Sequence, residues 1–459
     1  MNKYFYFDKN VLAKCDTKMI NKTTENLWHS FSFNASSLKL EAGEPNIFMI
    51  GAPEIPTLPD GKEYAISVNE NGICVVGKDY GSLIRGFCVL CMKIQYENLK
   101  DGEESLKIPV LEEVSNYRIK NRMIHICVFP EQDFYYIKKL IRLIGVCQYT
   151  HIVLEFWGTL KYDCLKELAW ENAFTKEQAK ELINEARVFG MELIPMFNQL
   201  GHATASRVLY GKHVVLDQNP KLQYLFTPDG WAWDIHSEEV WKLLKDVRYE
   251  LYDLFGDCEY IHLGCDEAYY YTNHEEERKQ LPEFLNKLTT EIVKEGKRPI
   301  IWADMFLEEE DYDKEKKYIC LGNKGETREL LKHINKETVL ADWQYNCEQV
   351  PVETLTYLNS TGFDCVGSPW LTAPNYGSVV DTLAENDMFG LMLTTWHTLW
   401  RNIPGILRCA QKCGAITFPW SYRDDNHGVR EETATMLRRV SFEGNTYEQS
   451  GFKNYQIKI

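Results

Sequence analysis

From residue 122 onward, apolar residues arrive in short runs separated by longer stretches of helical period. Runs at 122–128, 151–156, 191–197, 259–264, 299–303, 339–343, 363–367 and 390–396 are apolar or alternate, as buried strands do. Between them, 176–189, 239–255, 276–295 and 328–335 carry apolar residues at three- and four-residue intervals, the spacing of one helix face. Strands that alternate with helices imply parallel pairing through helical crossovers. Eight such runs predict an α/β fold, a (β/α)8 TIM barrel whose active site lies at the carboxyl ends of the strands.

Ahead of the barrel the pattern differs. Residues 46–51 and 63–68 read as strands, and Asn71-Gly72 reads as a hairpin turn because both residues tolerate positive φ. After the return strand at 73–77, Leu83, Phe87, Leu90, Cys91 and Ile94 mark a helix over 82–95. The expected division is a small α+β domain over 1–116, without a catalytic constellation of its own, and a catalytic barrel over 117–459.

Polar and aromatic residues gather at the predicted carboxyl ends of the strands. The second strand runs into Glu155-Phe156-Trp157, the third into Asn198 through His202, and the fourth into Asp266-Glu267. Trp302-Ala303-Asp304, Asp342 through Tyr345, Trp370 and Trp396-His397 close the remaining four. One tryptophan at such an end reads as packing, whereas several at equivalent ends read as a ligand wall. The carboxylate pair is the focus, because it follows Ile261 and Leu263 at strand period and precedes Tyr269, Tyr270 and Tyr271. The competing explanation is a pair of helix first-turn acids, which the macrodipole favours. Successive strand residues point to opposite sides, so both acids reach one pocket only if the chain bends; Gly264 permits that.

Two loops also draw notice. The connection 201–233 is expected to cover or wall the site, with Trp231-Ala232-Trp233-Asp234 serving as ligand contact or as aromatic anchor. Glu308 through Asp311 reads as a solvated helix face.

Composition narrows the partner. Aromatic residues make up 13% of the 459 residues, with 12 Trp and 26 Tyr, and the net charge is −16. Aromatic rings suit sugars and bases alike, but a phosphate backbone demands a basic surface, so a glycan or small molecule is favoured over nucleic acid. No apolar run reaches the roughly 18 residues of a membrane span. The first residues carry no secretory pattern, so a cytoplasmic location is expected unless a leader has been removed. The 14 cysteines fit a reducing compartment as buried thiols. Cys88-x-x-Cys91 and Cys409-x-x-x-Cys413 sit in apolar helical stretches and read as packing, not as zinc ligands. Self-association is left open.

Ile261-His262-Leu263-Gly264-Cys265-Asp266-Glu267 resembles the His-x-Gly-Gly-Asp-Glu signature of glycoside hydrolase family 20, the β-N-acetylhexosaminidases, with Cys265 in place of the second glycine. Glu192-Leu193-Ile194-Pro195 followed by Gly201-His202 is similar to the family's strand-three Pro-Gly-His stretch, with Leu200 where proline is usual. Arg122 stands where the family has a first-strand arginine that binds sugar hydroxyls, and 63–87 is similar to the domain that precedes these barrels. Departures at His125-Ile126-Cys127, Glu155-Phe156-Trp157, Ser368-Pro369-Trp370-Leu371 and Trp396-His397-Thr398 resemble a divergent, hexosaminidase-D-like intracellular branch, with altered contacts to the sugar's C4 and C6.

The resemblance implies an exo-acting, retaining β-N-acetylhexosaminidase that uses the substrate's own acetamide, without metal or organic cofactor. Glu267 would be the general acid and base, its pKa raised by the neighbouring Asp266. Asp266 would orient the acetamide and stabilise the oxazolinium cation. His202, with Glu155, would fix carboxylate orientation. Trp302, Trp343 and Trp396 would box the acetyl group, Trp370 would line the site, and Tyr345 or Tyr376 would donate to the acetamide oxygen. The rivals are a related barrel glycosidase with a different sugar preference and a non-catalytic carbohydrate-binding protein.

Overall fold

A computed structural model describes residues 3–98, 104–130, 132–204, 215–323, 325–396, 399–415 and 426–442. Its centre is a closed barrel of eight parallel strands joined in sequence order. They are Asn121–Cys127, His151–Glu155, Glu192–Met196, Tyr260–His262, Arg298–Trp302, Val339–Asp342, Asp364–Gly367 and Gly390–Leu393. Each overlaps the run predicted for it, because a strand covered on both faces must be apolar nearly throughout. Met123, Val153, Ile194, Tyr260, Ile300, Val339, Val366 and Met392, one from each strand, fill the interior.

The crossover helices are less regular than the pattern suggests. Lys176–Val188 and Glu238–Phe255 form as expected, each under a side-chain N-cap from Thr175 or Ser237. The helix expected over 276–295 breaks in two, Glu275–Arg278 and Leu281–Lys294, with a proline in the first turn of the second. The segment expected as a helix over 328–335 is a short 3-10 turn, Arg328–Lys332. The acidic run is not a solvated helix face at its first residue: Glu308 is buried, accepting hydrogen bonds from the Gly325 amide at 2.6 Å and Arg328 at 3.2 Å.

Before the barrel lies a six-stranded sheet whose last strand in sequence is Leu111–Val114, with helices Lys22–Phe31 and Tyr80–Met92 packed on it. Phe87 from the second helix meets Trp28 and Phe48. A separate three-stranded sheet pairs Tyr4–Phe7 with Glu104–Pro109.

Arg122 belongs to this junction and not to the sugar site. It lies at the start of the first barrel strand, the end opposite the catalytic rim, and is 1% exposed. Its guanidinium donates to both Glu63 carboxylate oxygens, at 3.1 and 3.2 Å, and to the carbonyls of Gln148, Ile119 and Lys120. It also stacks over Tyr117 at 3.6 Å. With Nε, Nη1 and Nη2 each engaged below the barrel, the side chain is held away from a ligand above it. Arg122→Ala is expected to cost about 3 kcal/mol of stability, since it leaves buried acceptors stranded. Thermal denaturation reads the loss, and KM for the sugar stays where it was.

Candidate active site

Strand geometry stops at His262, and the next residues turn sharply. Gly264, Cys265 and Glu267 all have positive φ, at 64°, 66° and 52°. At Gly264 a Cβ would stand 2.4 Å from Asn198 Oδ1, so only glycine fits. Cys265 adopts the same region with a side chain, at a cost of about 1–3 kcal/mol. Its buried thiol donates to the Leu263 carbonyl at 3.4 Å. The bend brings Asp266 and Glu267 to one rim. The following helix, Tyr269–Asn273, takes no side-chain cap from either acid, which removes the helix-capping explanation.

Asp266 is clamped on both oxygens. Asn198 Nδ2 donates to Oδ1 at 3.1 Å, and His202 Nδ1 meets Oδ2 at 2.9 Å. The same His202 nitrogen lies 3.4 Å from Glu267 Oε2. With the ring proton on Nδ1, His202 donates to Asp266, and Glu267 stands within ion-pair range of the same nitrogen. The Asp266 side chain is 4% exposed and that of Glu267 19%, so the second acid faces the opening. The Tyr269 phenol lies beside Glu267, and burial together with the nearby carboxylates raises its pKa.

Asp304 ties the catalytic turn to the aromatic wall. Its Oδ2 accepts the Glu267 backbone N–H at 2.9 Å, and its Oδ1 accepts Trp343 Nε1 at 3.0 Å. Burial pushes this carboxyl well above the usual range, the charge of Asp266 adds to that, and the two donated hydrogen bonds oppose it. Trp343 packs on Tyr345 at 5.2 Å, Tyr345 packs on Trp370 at 5.1 Å, and Trp396 Nε1 donates to the Tyr345 hydroxyl at 2.6 Å. Trp302 has no exposed surface; it is the floor beneath Trp396, 5.6 Å away, and packs on His262 at 4.5 Å. Stacking of a sugar on Trp302 itself is therefore ruled out as the site stands, whereas Trp343, Tyr345, Trp370 and Trp396 are partly open.

Glu155 does not partner His202. It is fully buried and pairs with His125 Nε2 at 2.8 Å, because His125 and Cys127 share the barrel's inner face with it. Donor atoms of His125, Cys127 and Glu155 lie within 4.8 Å of one another, as do those of His202, Asp266 and Glu267. These are the sets, among the described residues, whose chemistry could hold a metal ion. Tyr376 is removed from the site, buried with its hydroxyl against Gly405. The Trp231 to Asp234 stretch splits. Trp233 is an anchor, donating to the Asn198 carbonyl at 2.9 Å and stacked on Phe226 at 4.4 Å, while Trp231 lies flat on His202 at 5.0 Å. His397 and Thr398 lie outside the described residues, as does 205–214 of the covering loop. Asn198, Asp304 and Tyr269 were at strand ends or beside the pair in the sequence but carried no sign of their partners.

The catalytic-domain profile of glycosyl hydrolase family 20 matches residues 107–369, more than half of the 459. The chain belongs to glycoside hydrolase family 20. Over 154 residues it is 26% identical to a beta-hexosaminidase of Akkermansia muciniphila, a match that spans 29% of this chain and 30% of that protein. Among solved structures it resembles the Flavobacterium johnsoniae chitobiase, with TM-score 0.67 and 14% identity over 98% of this chain and 71% of that one. The β-N-acetylhexosaminidase of Bacteroides fragilis gives TM-score 0.63 and 16% identity over 90% and 88%. A Streptomyces plicatus β-hexosaminidase in complex with the product GlcNAc gives 0.64 and 12% over 99% and 94%. At these identities the likeness is one of fold, and within family 20 the chain keeps the Asp-Glu pair on its barrel.

Proposed function

We propose that the protein is an exo-acting, retaining β-N-acetylhexosaminidase that releases terminal β-linked GlcNAc or GalNAc with help from the substrate's acetamide. The observation that carries this is the bent end of the fourth strand, where one acid is clamped on both oxygens and its neighbour faces the opening. The acetamido carbonyl oxygen bonds to C1 as the C1–O bond to the leaving group breaks, and Glu267 gives that oxygen its proton. Asp266 accepts the acetamide N–H and balances the positive charge of the oxazolinium ring. Glu267, now ionised, takes a proton from water, which attacks C1 and reopens the ring with the β configuration retained. In this reading Trp343, Tyr345 and Trp396 enclose the acetyl group and the Tyr345 hydroxyl donates to the acetamide oxygen, which is supported by its accepting from Trp396 and so keeping its own proton for a ligand. In support of a reducing compartment and a cytoplasmic location, all 14 cysteines are free thiols.

Proton NMR of the first product from an aryl β-N-acetylglucosaminide is expected to show the β anomer, and an N-acetylglucosamine thiazoline is expected to inhibit competitively. An α first product, or indifference to the thiazoline, would sink the substrate-assisted reading. A panel of aryl galactosides and glucosaminides separates the rival sugar preferences, and thiazoline binding without any turnover would mark a binding protein.

A further inference from the structure

The aromatic groups around the two acids fall into separate sets. Trp343, Tyr345, Trp370 and Trp396 contact one another and reach the acids through Asp304. Trp231, His202 and Tyr269 form another set, with Trp231 5.0 Å from His202 at an interplanar angle of 15° and 5.7 Å from Tyr269. No ring contact among the described residues joins the two sets. Glu267 belongs to the second, through the Tyr269 phenol beside it and its 3.4 Å approach to His202.

Trp231 is held firmly for a residue on a loop. Phe226 bridges to Trp233, Thr227 accepts and donates across the turn to Ala232, and Gly230 takes the left-handed backbone that closes it. The Trp231 amide donates to Asp229 at 3.1 Å, and its carbonyl accepts from Ala203 at 2.9 Å. Next to it Trp233 and the Tyr271 hydroxyl pin the loop to the barrel. Such anchoring would be idle if Trp231 merely filled space. The indole is partly open to solvent, its buried Nε1–H has no hydrogen-bond partner among the described residues, and Tyr269 beside it is 37% exposed.

We propose that Trp231 and Tyr269 form the leaving-group subsite, a platform for a ring-shaped, uncharged aglycone such as a second pyranose. This rests on the hydrolase reading above: the group that receives the Glu267 proton must depart beside Glu267, and the aromatic set around that carboxylate is this one. Stacking on a rigid indole costs little entropy and tolerates different sugars. Asp229, Asp234, Asp266, Glu267 and Asp304 stand around this side, in a chain of net charge −16, so sulfated, phosphorylated or nucleotide aglycones are disfavoured.

The test compares two substrates with the same terminal sugar, N,N′-diacetylchitobiose and the 2-acetamido glycosyl fluoride, whose leaving group has no ring to stack. Trp231→Ala is expected to lower kcat/KM for the disaccharide about tenfold more than for the fluoride, with Trp231→Phe recovering much of the difference. A 6-sulfated reducing-end sugar is expected to be a poorer substrate than the neutral disaccharide for the unaltered enzyme, and the gap to narrow at high salt. Equal losses on both substrates would overturn the proposal and leave Trp231 as a support for His202. If the unaltered enzyme cleaves neither compound, the hydrolase reading itself fails, and this proposal falls with it.

Discussion

Replacing Glu267 with Gln is expected to lower kcat for an aryl β-N-acetylhexosaminide by about a thousandfold, the scale of a lost general acid and base. The substitution keeps the shape of the side chain and leaves the backbone N–H to Asp304 intact, so the fold is not at stake. The loss has two parts that can be separated. A dinitrophenyl leaving group needs no proton, so the first half of the reaction recovers while the second stalls for want of a base. Azide, a nucleophile that needs no base, then restores turnover and yields a β-glycosyl azide. Undiminished hydrolysis by the Gln variant would end the assignment of Glu267.

The second large effect is at Asp266. Asp266→Asn removes a clamped negative charge at the place proposed for the oxazolinium cation, and kcat is expected to drop about a hundredfold or more. The drop is confined to substrates that carry the acetamide: a slow aryl glucoside, which cannot form the oxazolinium ring, loses much less. Uniform loss on both would mean that Asp266 only shapes the pocket. The same variant bears on stability. Asp304 has a raised folded pKa, so the stability linked to its proton is present at low pH and is lost as pH rises from the ordinary carboxylate range of about 4 towards the folded value. Without the Asp266 charge that decline is shallower, which melting temperatures measured across pH would reveal.

The barrel was legible because its strands are buried on both faces and so read as unbroken apolar runs. The rim was legible only as a set of residue types. Nothing in the letters of 264–267 other than a glycine announces three left-handed residues, and Cys265 hides one of them. The Glu155 partner could have been found: His125 and Cys127 alternate onto the inner face, and Cys127 pairs in register with Glu155. Arg122 misled because a position on the right strand says nothing about which end of it the side chain serves. The break at 278–281 was announced by a proline that starts a helix, Pro282, where the apolar period alone suggested continuity. The short strands near the N-terminus pair with distant partners, as Asn10–Cys15 does with Ser37–Ala42, and local pattern cannot supply that.

The notch at Gly264 reaches beyond the turn it permits. Asn198 occupies the volume of the missing side chain with one end of its amide and holds Asp266 with the other. A methyl group in the turn after strand four would therefore loosen a carboxylate by pushing on the segment that leaves strand three. The two positions therefore act as one: a side chain added at Gly264 is felt at Asp266 through the Asn198 amide.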